Sequence, residues 1–550
     1  MRGSLYTQEL IDEYLNKGYW DLTKRADVID RNGREVPDKE ALVDSKARLT
    51  WSEVSQRSDR LALGLLAQGY KKDDLLLVQL PNWVELYLLL VACEKAGIIL
   101  ATAQPTFRHA ELLPVLKHVE AKAIVIPYEF RSFNYFEMAK EMQKEVPALK
   151  DIIIVGDKIP KGAISFEEVG KGDVEGKFPQ DYLRQIRPDP FEVVKIATTS
   201  GSTGTPKCIE FAIANRMASG RNMAKWWEMG PDDIVGVFYN IIGGGASIIS
   251  PFASPIVRAK VVLVDRFDPQ LACELIEKEK ITIAAIVPAL MARLLDYPDL
   301  DKYDFSSLRL IHNSTSLLPY ELGIRAEKAL GARYVQTYGT MDAGSPIATF
   351  SINDPPEVRV GTVGRPYYEG TFKMVDENGQ ELPMGEIGEV AYRGPCCASG
   401  YYKSEKLNEE FWRDGWYFTG NQGKFDEHGN VIILGRKRET IIRGGQNIFP
   451  IEIENLLMQH PKVSDVSVVR MPDRVMGEKA CAYIVPRRDQ VITFEEMVSF
   501  LKDKKLAPFK LPERLEILDE LPLVPAAQKV DKIKLEKDIA RKVEQESRQG

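Results

Sequence analysis

The sequence predicts an α/β protein in which a large N-terminal domain of parallel-sheet α/β subdomains and a small β subdomain precedes a small α+β C-terminal domain. Short apolar strands alternate with amphipathic helices up to about residue 350, which is typical of largely parallel sheets covered by helices. After residue 355 short strands are separated by Gly, Pro and Asp-Glu-Asn-Gly turns, as in a small β-rich subdomain. The chain of 550 residues is too long for one hydrophobic core, so two or more domains are expected.

Composition and charge narrow the class of protein. The chain is 44% hydrophobic and 28% charged, as in soluble globular enzymes, and its net charge of −7 argues against a nucleic-acid partner. The longest apolar run, at 86–93, is far too short to span a membrane. Six dispersed cysteines and an N-terminus without an apolar segment predict a cytoplasmic protein with reduced thiols. Five scattered histidines without a Cys-x-x-Cys pair argue against a structural zinc site.

The first elements are predicted from capping residues and apolar runs. Residues 1–50 are expected to form an N-terminal arm, and Thr50 or Ser52 to cap a helix that ends at Gly69. Apolar runs at 75–80 and 123–127 predict strands. Helices are expected between these strands, one at 86–93 and another after residue 105.

The last third of the chain predicts a change of domain. The β-rich subdomain is expected to use strands at 358–363, 370–375, 388–392 and 431–434. The charged segment 436–439 is a candidate hinge, which divides the chain into domains 1–436 and 437–550. Helices are expected at 451–459 and 494–504, and the charged tail from Lys534 predicts a terminal helix.

A loop rich in hydroxyl groups and glycine follows the apolar run 193–197. Its glycines let backbone N–H groups approach a ligand, its hydroxyls add donors, and Lys207 supplies a positive charge, which suits a polyphosphate. Pro206 stands where a Walker motif has its second glycine, so the loop is not a Walker loop. Taken alone, the stretch is also compatible with a solvated linker. The candidate phosphate-binding residues are Thr199, Ser200, Gly201, Ser202, Thr203 and Gly204.

This loop resembles the phosphate loop of the acyl-adenylate-forming superfamily, which includes acyl- and aryl-CoA synthetases, adenylation domains of peptide synthetases and firefly luciferase. Motifs similar to those of the family follow in its order over nearly the whole chain. The resemblance implies an AMP-forming acid–thiol ligase that uses ATP, Mg²⁺ and CoA, and a C-terminal domain that rotates about Arg438. Lys207 and Lys529 would offset negative charge at the α-phosphate, with Lys532 as the alternative to Lys529.

The remaining ATP site is assigned by the same resemblance. The stretch 337–342 is similar to one whose tyrosine lies along adenine and whose acid, here Asp342, helps hold magnesium. Asn421 replaces an aspartate that grips both ribose hydroxyls, and a neutral amide in place of a carboxylate lowers nucleotide affinity about tenfold. The additional ATP-binding candidates are Ser314, Thr315, Ser316, Thr337, Tyr338, Gly339, Thr340, Asn421, Ile433 and Arg436.

The sites for the acid and for CoA are assigned by resemblance too. Asn240 falls where members that activate aryl acids often carry an asparagine, and residues 471–481 also resemble that branch. The glycines 243–245 leave space for a ring or a medium chain, although a helix-capping role is equally compatible. Gly444 and Gly445 would let a pantetheine arm pass close to the backbone. The substrate-binding candidates are Tyr239, Asn240, Gly244 and Gly339.

Two alternatives remain open from the sequence. The acyl group could pass to a carrier protein instead of CoA, and CoA is the expected acceptor because no carrier domain follows. The chain could also be a nucleotide- or acyl-binding homologue without turnover, since four motif positions depart from the family pattern. Retention of Lys207, Arg436 and Lys529 favours an active enzyme, either a monomer or a homodimer. The departures are Cys208, Met341, Asn421 and Gln528.

Overall fold

Two large sheets organise the N-terminal part of the protein. The computed structural model describes residues 1–199, 207–314, 320–344, 346–367, 369–524 and 529–549. The eight-stranded sheet contains, in spatial order, Gly400–Tyr401, Lys207–Ala212, Val193–Thr199, Ile99–Thr102, Leu75–Val78, Ala123–Pro127, Asp151–Val155 and Ile164–Ser165. The seven-stranded sheet contains Arg333–Gln336, Leu310–Asn313, Ile283–Ala285, Ile234–Val237, Lys260–Leu263, Glu40–Val43 and Arg48–Thr50.

Neighbouring strands in both sheets are mostly parallel, so the α/β class is confirmed. The exceptions lie at one end of each sheet: Lys207–Ala212 is antiparallel to both of its neighbours, and Arg48–Thr50 is antiparallel to Glu40–Val43. Thr199 is the register partner of Lys207, so the predicted phosphate loop joins two adjacent strand ends.

Helices cover both sheets, and one is buried between them. Helix Val84–Ala96 is apolar on nearly all sides, and it packs in one core with strand residues from both sheets. The α-helices are Gln8–Asn16, Arg25–Glu35, Trp51–Ala67, Val84–Ala96, His109–Val119, Tyr135–Glu145, Phe166–Val169, Tyr182–Ile186, Ile213–Trp226, Ala246–Ile248, Ser254–Val257, Pro269–Glu279, Pro288–Leu295, Tyr320–Leu330, Pro356–Gly361, Glu405–Phe411, Pro450–Leu457, Phe494–Asp503 and Lys532–Gln549.

The predicted cap at the start of the third helix is confirmed. Thr50 rather than Ser52 is the cap: its Oγ1 accepts from the Glu53 N–H at 3.3 Å, and Glu53 Oε2 accepts from the Thr50 N–H at 2.9 Å. The N-terminal region is more integrated than an arm, because strand Glu40–Val43 pairs in parallel with Lys260–Leu263 inside the seven-stranded sheet.

The β-rich subdomain is present, with one error in the prediction. Its strands are Thr371–Val375, Gly388–Arg393, Trp416–Phe425, Trp412–Arg413 and Val431–Arg436. The expected strand at 358–363 is wrong, because Pro356–Gly361 is a helix. Pro356 fixes a helical φ at the first position of this helix and Glu357 lies in its first turn, and these local signals override the alternating valines.

The C-terminal region has a sheet and two apolar clusters of its own. The sheet consists of Gln446–Ile448, Ile441–Arg443, Gly477–Pro486, Val463–Asp473 and Arg514–Ile517. Helices Pro450–Leu457, Phe494–Asp503 and Lys532–Gln549 agree with the predicted ones. Strand Val431–Arg436 ends in the preceding sheet and a short turn, Lys437–Glu439, leads to the next sheet, so the predicted boundary at 436 falls in this connection and remains a prediction.

Three two-residue ladders complete the strands of the described residues. They are Glu129–Phe130 with Phe133–Asn134, Ala348–Thr349 with Arg365–Pro366, and Leu523–Val524 with Lys529–Val530. All six cysteines are free and buried, and burial raises the pKa of each thiol above its ordinary value. Within the ranges given above, no helix is both long enough and apolar enough to cross a bilayer.

Candidate active site

Lys207 and Asp342 form an ion pair at the end of the strand that follows the predicted phosphate loop. Lys207 Nζ lies 3.1 Å from Asp342 Oδ2, and the lysine side chain is 21% exposed. The same carboxylate oxygen accepts a hydrogen bond of 2.7 Å from the Tyr401 hydroxyl. Burial and the neighbouring carboxylate raise the pKa of Tyr401, so this hydroxyl remains a donor. Lys207 Nζ also lies 3.7 Å from the centre of the Phe411 ring.

Tyr338 and Asn421 meet at a second point of the site. Asn421 Nδ2 donates to the Tyr338 hydroxyl oxygen at 2.7 Å, and burial raises the pKa of this tyrosine. Ile433 packs in the same apolar cluster as Tyr338. Arg436 is the cross-strand partner of Asn421, and its Nε lies 3.8 Å from Glu439 Oε1. The predicted ribose-binding pair is therefore brought together beside the predicted adenine-binding tyrosine.

The loop that follows strand Ile234–Val237 forms a third part of the site. The Tyr239 hydroxyl lies 2.6 Å from Ser314 Oγ and accepts from the Ala246 N–H at 2.9 Å. Ser314 Oγ accepts from the Gly245 N–H at 3.0 Å. Burial raises the pKa of Tyr239 to about 12, so the hydroxyl is neutral. Tyr239 and Ser314 thus hold the glycine-rich loop against the end of strand Leu310–Asn313.

The glycines of this loop are required partly by packing. A Cβ added to Gly245 would lie 2.3 Å from His312 Cε1, and Gly244 has a φ of +52°. The Asn240 side chain accepts from the Ile242 N–H at 3.0 Å, and Asn82 Nδ2 donates to the Tyr239 carbonyl at 2.9 Å. Packing against His312 and a positive φ therefore account for Gly245 and Gly244 independently of the predicted space for an acid.

The segment 337–342 joins the three parts of the site. Thr337 Oγ1 lies 3.1 Å from His312 Nε2, Tyr338 binds Asn421, and Thr340 donates to the Tyr417 hydroxyl at 3.3 Å. Gly339 is half-buried between them, and Asp342 ends the segment at Lys207. This six-residue segment thus reaches His312 beneath the predicted acid loop, the predicted ribose site and the lysine after the phosphate loop.

The predicted CoA-binding glycines form a tight hairpin turn in the C-terminal region. Gly444 and Gly445 have φ values of +54° and +84° and connect the paired residues Arg443 and Gln446. Two consecutive positive φ angles are the requirement of a type I′ turn, which explains the Gly-Gly sequence locally. The backbone carbonyl of Arg438 accepts a hydrogen bond from Arg470, and burial lowers the pKa of the Arg438 guanidinium.

The predicted catalytic lysine lies in the ladder at 523–530, where Lys529 is the register partner of Val524. Lys532, the alternative, donates to Glu454 Oε1 at 2.7 Å and to the Val468 carbonyl at 3.2 Å, so it links elements within the C-terminal region. Several predicted site residues lie outside the described part of the chain. They are Ser200, Gly201, Ser202, Thr203, Gly204, Thr315 and Ser316, together with Gln528 and the side chains of Thr199 and Lys529.

Sequence reasoning missed three side chains of the site. His312 is fully buried beneath the glycine loop, and burial lowers its pKa to about 3, so it is neutral. Tyr401 orients the Asp342 carboxylate, and Asn82 fixes the backbone of the loop at Tyr239. A histidine inside the apolar run 308–313 was the one available signal, because a polar ring in a buried strand needs a partner.

Comparison with known proteins supplies the context of this geometry. Residues 29–402 match the family model described as AMP-binding enzyme, and residues 452–528 match the AMP-binding enzyme C-terminal domain. The medium-chain fatty-acid–CoA ligase of Escherichia coli is 29% identical over 538 residues, which cover 97% of this chain and 93% of that protein. The 2,3-dihydroxybenzoate-AMP ligase of Bacillus subtilis is 28% identical over 564 residues, which cover 98% of each chain.

A solved structure shows the same fold. It is an anthranilate CoA ligase in complex with anthranoyl-AMP, with a TM-score of 0.86 and 22% identity, over 94% of this chain and 97% of the other. The match extends over both the large N-terminal sheets and the small C-terminal region.

Proposed function

Because the chain belongs to the AMP-binding enzyme family of adenylate-forming ligases, we propose that it is an AMP-forming carboxylic acid–CoA ligase. It activates an aromatic, alicyclic or medium-chain acid as acyl-AMP and transfers the acyl group to CoA. The observation that carries the proposal is the segment 337–342, which links the ribose-site residue Asn421, His312 beneath the glycine loop and the ion pair Lys207–Asp342.

The first step forms the adenylate. A carboxylate oxygen of the acid attacks the α-phosphorus of ATP, the bond to the oxygen of the β-phosphate breaks, and pyrophosphate leaves. Lys207, which follows the phosphate loop and sits at the Asp342 end of the segment, offsets negative charge that develops on the phosphates. Lys529 is the second cation in this proposal, and Tyr338 and Asn421 hold the nucleoside.

The donor set fits magnesium. Asp342 supplies a carboxylate, the ligand type that Mg²⁺ takes in combination with substrate phosphates. Both bonds described for this side chain go to Oδ2, and within the described ranges no group of three or more His, Cys, Asp or Glu side chains forms an all-protein cage. Bound Mg²⁺ would neutralise phosphate charge, and Asp342, whose carboxylate the Tyr401 hydroxyl holds by a hydrogen bond, would supply its protein ligand.

The second step transfers the acyl group. The CoA thiol attacks the carbonyl carbon of the acyl-AMP, the bond to the phosphate oxygen breaks, and AMP leaves. Lys529 and the thiol need the same face of the adenylate, so the C-terminal domain rotates about Arg438 between the two steps. The turn at Gly444 and Gly445 then carries backbone without side chains to the pantetheine arm.

The loop 239–247 supports the proposed class of acid. This loop presents Asn240 and glycines rather than a charged side chain, and neutral His312 lies beneath it. Such a surface suits an uncharged ring or chain. The two relatives described above act, by name, on medium-chain fatty acids and on 2,3-dihydroxybenzoate, and both classes fall within the proposal.

A pyrophosphate-release assay tests the function. Aromatic, alicyclic and straight-chain acids are each supplied with ATP and Mg²⁺, with and without CoA, and acyl-CoA is detected by mass spectrometry. Sustained release that requires CoA, with one acid class preferred, is the expected result. Release without acyl-CoA would instead indicate that a carrier protein accepts the acyl group. Absence of release with every acid would contradict the proposal and favour a binding protein without turnover.

A further inference from the structure

Arg216 contacts two separate loops of the site, although no motif of the sequence includes it. It lies on helix Ile213–Trp226 and is 1% exposed. Its Nη1 donates to the Gly344 carbonyl at 3.1 Å, and its Nη2 donates to the carbonyl and to the hydroxyl oxygen of Ser247, each at 2.7 Å. One guanidinium therefore bonds residues that are 128 and 31 positions away along the chain.

Each of these contacts leads directly to a proposed ligand-binding residue. The Ser247 hydroxyl donates onward to the Gly244 carbonyl at 2.7 Å, so Arg216 reaches the glycine run through Ser247. Gly344 donates its N–H to the Met341 carbonyl at 3.0 Å, closing the turn that carries Asp342. A planar guanidinium suits this role because its donors point in fixed directions, whereas a lysine ammonium acts as a single point.

The surroundings of Arg216 make its charge costly to bury. Its guanidinium carbon lies 4.5 Å from the centre of the Phe211 ring, and the buried side chains of Arg25 and Lys195 line the same small cavity. Desolvation together with Arg25 lowers the pKa of Arg216 to about 9. Glu94 pairs with Arg25 rather than with Arg216, and its Oε2 lies 2.8 Å from Arg25 Nη2. Because burying this charge costs free energy, Arg216 is not explained by the stability of the core alone.

We propose that Arg216 is a positioning residue that couples the acid loop 239–247 to the Asp342 loop 337–344, so that ordering of one loop by its ligand orders the other. This inference rests on the proposed function, because it assigns the acid and ATP to these two loops. Two loops that share a rigid bonding partner lose conformational freedom together, and the second ligand then meets a loop that is already ordered. Reciprocity requires that the acid raise ATP affinity by the same factor by which ATP raises acid affinity.

Hydrogen–deuterium exchange with MgATP as the probe tests the coupling without any acid. In the wild type, MgATP is expected to slow exchange both at 337–344 and at 239–247. In Arg216→Met the protection at 337–344 remains and the protection at 239–247 disappears. Protection of both loops in the variant would overturn the proposal.

Kinetics provide the second measurement. Arg216→Met is expected to lower kcat/KM for adenylation about 100-fold, the size of effect that follows from misplacing bound reactants by about 1 Å. Arg216→Lys recovers only part of this loss, since an ammonium does not span both loops. Ser247→Ala removes the hydroxyl that bonds Arg216 and the Gly244 carbonyl, while the bond from Arg216 to the Ser247 carbonyl stays. A smaller rise in KM for the acid is therefore expected, with KM for ATP within about twofold.

A matched control separates positioning from general stability. Arg359 is also buried, donates to the carbonyls of Asp354 and Tyr334 and pairs with Glu327, and none of these partners belongs to either loop. Arg359→Met is expected to lower Tm, while MgATP still slows exchange at both 337–344 and 239–247. If Arg216→Met behaves like this control, the coupling is refuted.

Two other results of the exchange experiment also bear on the coupling. If Arg216→Met does not fold, Arg216→Lys carries the test by the same exchange readout. If MgATP protects neither loop in the wild type, the assignment of ATP to 337–344 is contradicted, while the pyrophosphate-release assay still judges the function. The ligand-free exchange rates then judge Arg216: faster exchange of both loops in the variant supports joint ordering, and unchanged rates refute it.

Discussion

Two lysines at opposite ends of one hairpin are treated in contrasting ways by the fold. Lys195 lies inside strand Val193–Thr199, is 8% exposed, and donates to the Ile242 carbonyl at 3.2 Å. Lys207 begins the adjacent strand, is partly exposed, and pairs with Asp342. Desolvation, followed by repulsion from Arg216 and Arg25, lowers the pKa of Lys195 well below its ordinary value. The hairpin therefore places Lys207 beside a carboxylate at the site and Lys195 in a core that disfavours its charge.

The contrast indicates that the residues suited to phosphate chemistry lie at the loop end of the hairpin, where Lys207 pairs with Asp342. Lys207 lies beside a carboxylate and two aromatic rings, where its side chain is within reach of a phosphate loop at the same strand end. A lysine among two arginines and apolar side chains gains from losing its proton. Residue type alone does not distinguish these positions, whereas burial and partners do.

Removing the loop-end lysine should have the largest effect. Lys207→Ala is expected to reduce kcat/KM for adenylation about 10²- to 10³-fold, as for loss of one group that stabilises transition-state charge. The measurement is ATP–pyrophosphate exchange with the preferred acid. Lys144→Ala, at an exposed position of helix Tyr135–Glu145, is a suitable control for loss of a lysine. An activity within threefold of the wild type would remove Lys207 from the mechanism.

Removing the core-end lysine should change how stability depends on pH. The unfolded chain binds a proton at Lys195 up to about pH 10.5, while the folded protein has released it at its lowered pKa. Unfolding therefore takes up a proton in this window, and the free energy of unfolding rises with pH by up to about 1.4 kcal/mol per pH unit. Lys195→Met should remove this contribution, and urea unfolding between pH 8 and 10 measures it. Equal pH slopes for the two proteins would mean that Lys195 stays charged in the fold.

A charge restored at the ribose site should strengthen nucleotide binding. Asn421→Asp is expected to lower the Kd for ATP about tenfold, because a carboxylate accepts ribose hydroxyls as a charged group. Tyr338 can donate its hydroxyl to the new carboxylate in place of accepting from the amide. Calorimetric titration of both proteins with MgATP gives the ratio, and unchanged affinity would show that Asn421 does not contact the ribose.

The smallest effect is expected from the partner of Asp342. Tyr401→Phe removes one hydrogen bond to the carboxylate and leaves the Lys207 contact in place. A loss of about 1 kcal/mol, or roughly fivefold, is expected in the apparent affinity for Mg²⁺ in the presence of ATP. Magnesium dependence of the initial rate measures it, with saturating Mg²⁺ restoring kcat. A loss of kcat at saturating Mg²⁺ would assign Tyr401 a different role.

Local signals predicted much of the fold. The Thr50 cap and the strand at 123–127 follow from residues adjacent in the chain, and both are confirmed. The helix Pro356–Gly361 was missed because Val358, Val360 and Val363 suggested a strand, while the proline at its start decided otherwise. Elements were therefore predictable wherever one local preference dominated.

The order of the motifs predicted the residues of the candidate site. The local sequence pattern did not predict Arg216, which holds the loops that carry them. Lys207, Asp342, Tyr338 and Asn421 are brought into contact as pairs, in agreement with the motifs. Arg216 has acceptors on loops far away in the chain, and such partners depend on tertiary packing rather than on neighbours. A charged residue among Ala, Met and Gly on one helix was the only local indication.

The burial of every cysteine makes the protein ready for site-specific labelling. The six thiols are inaccessible and their pKa values are raised, so maleimide reagents have few thiolates to attack. Cysteines introduced at the exposed positions Met384 and Val475, in the β-rich subdomain and the C-terminal region, would be the reactive ones. A donor and an acceptor dye at these positions would test the proposed rotation about Arg438, which predicts a change in energy transfer between the two steps.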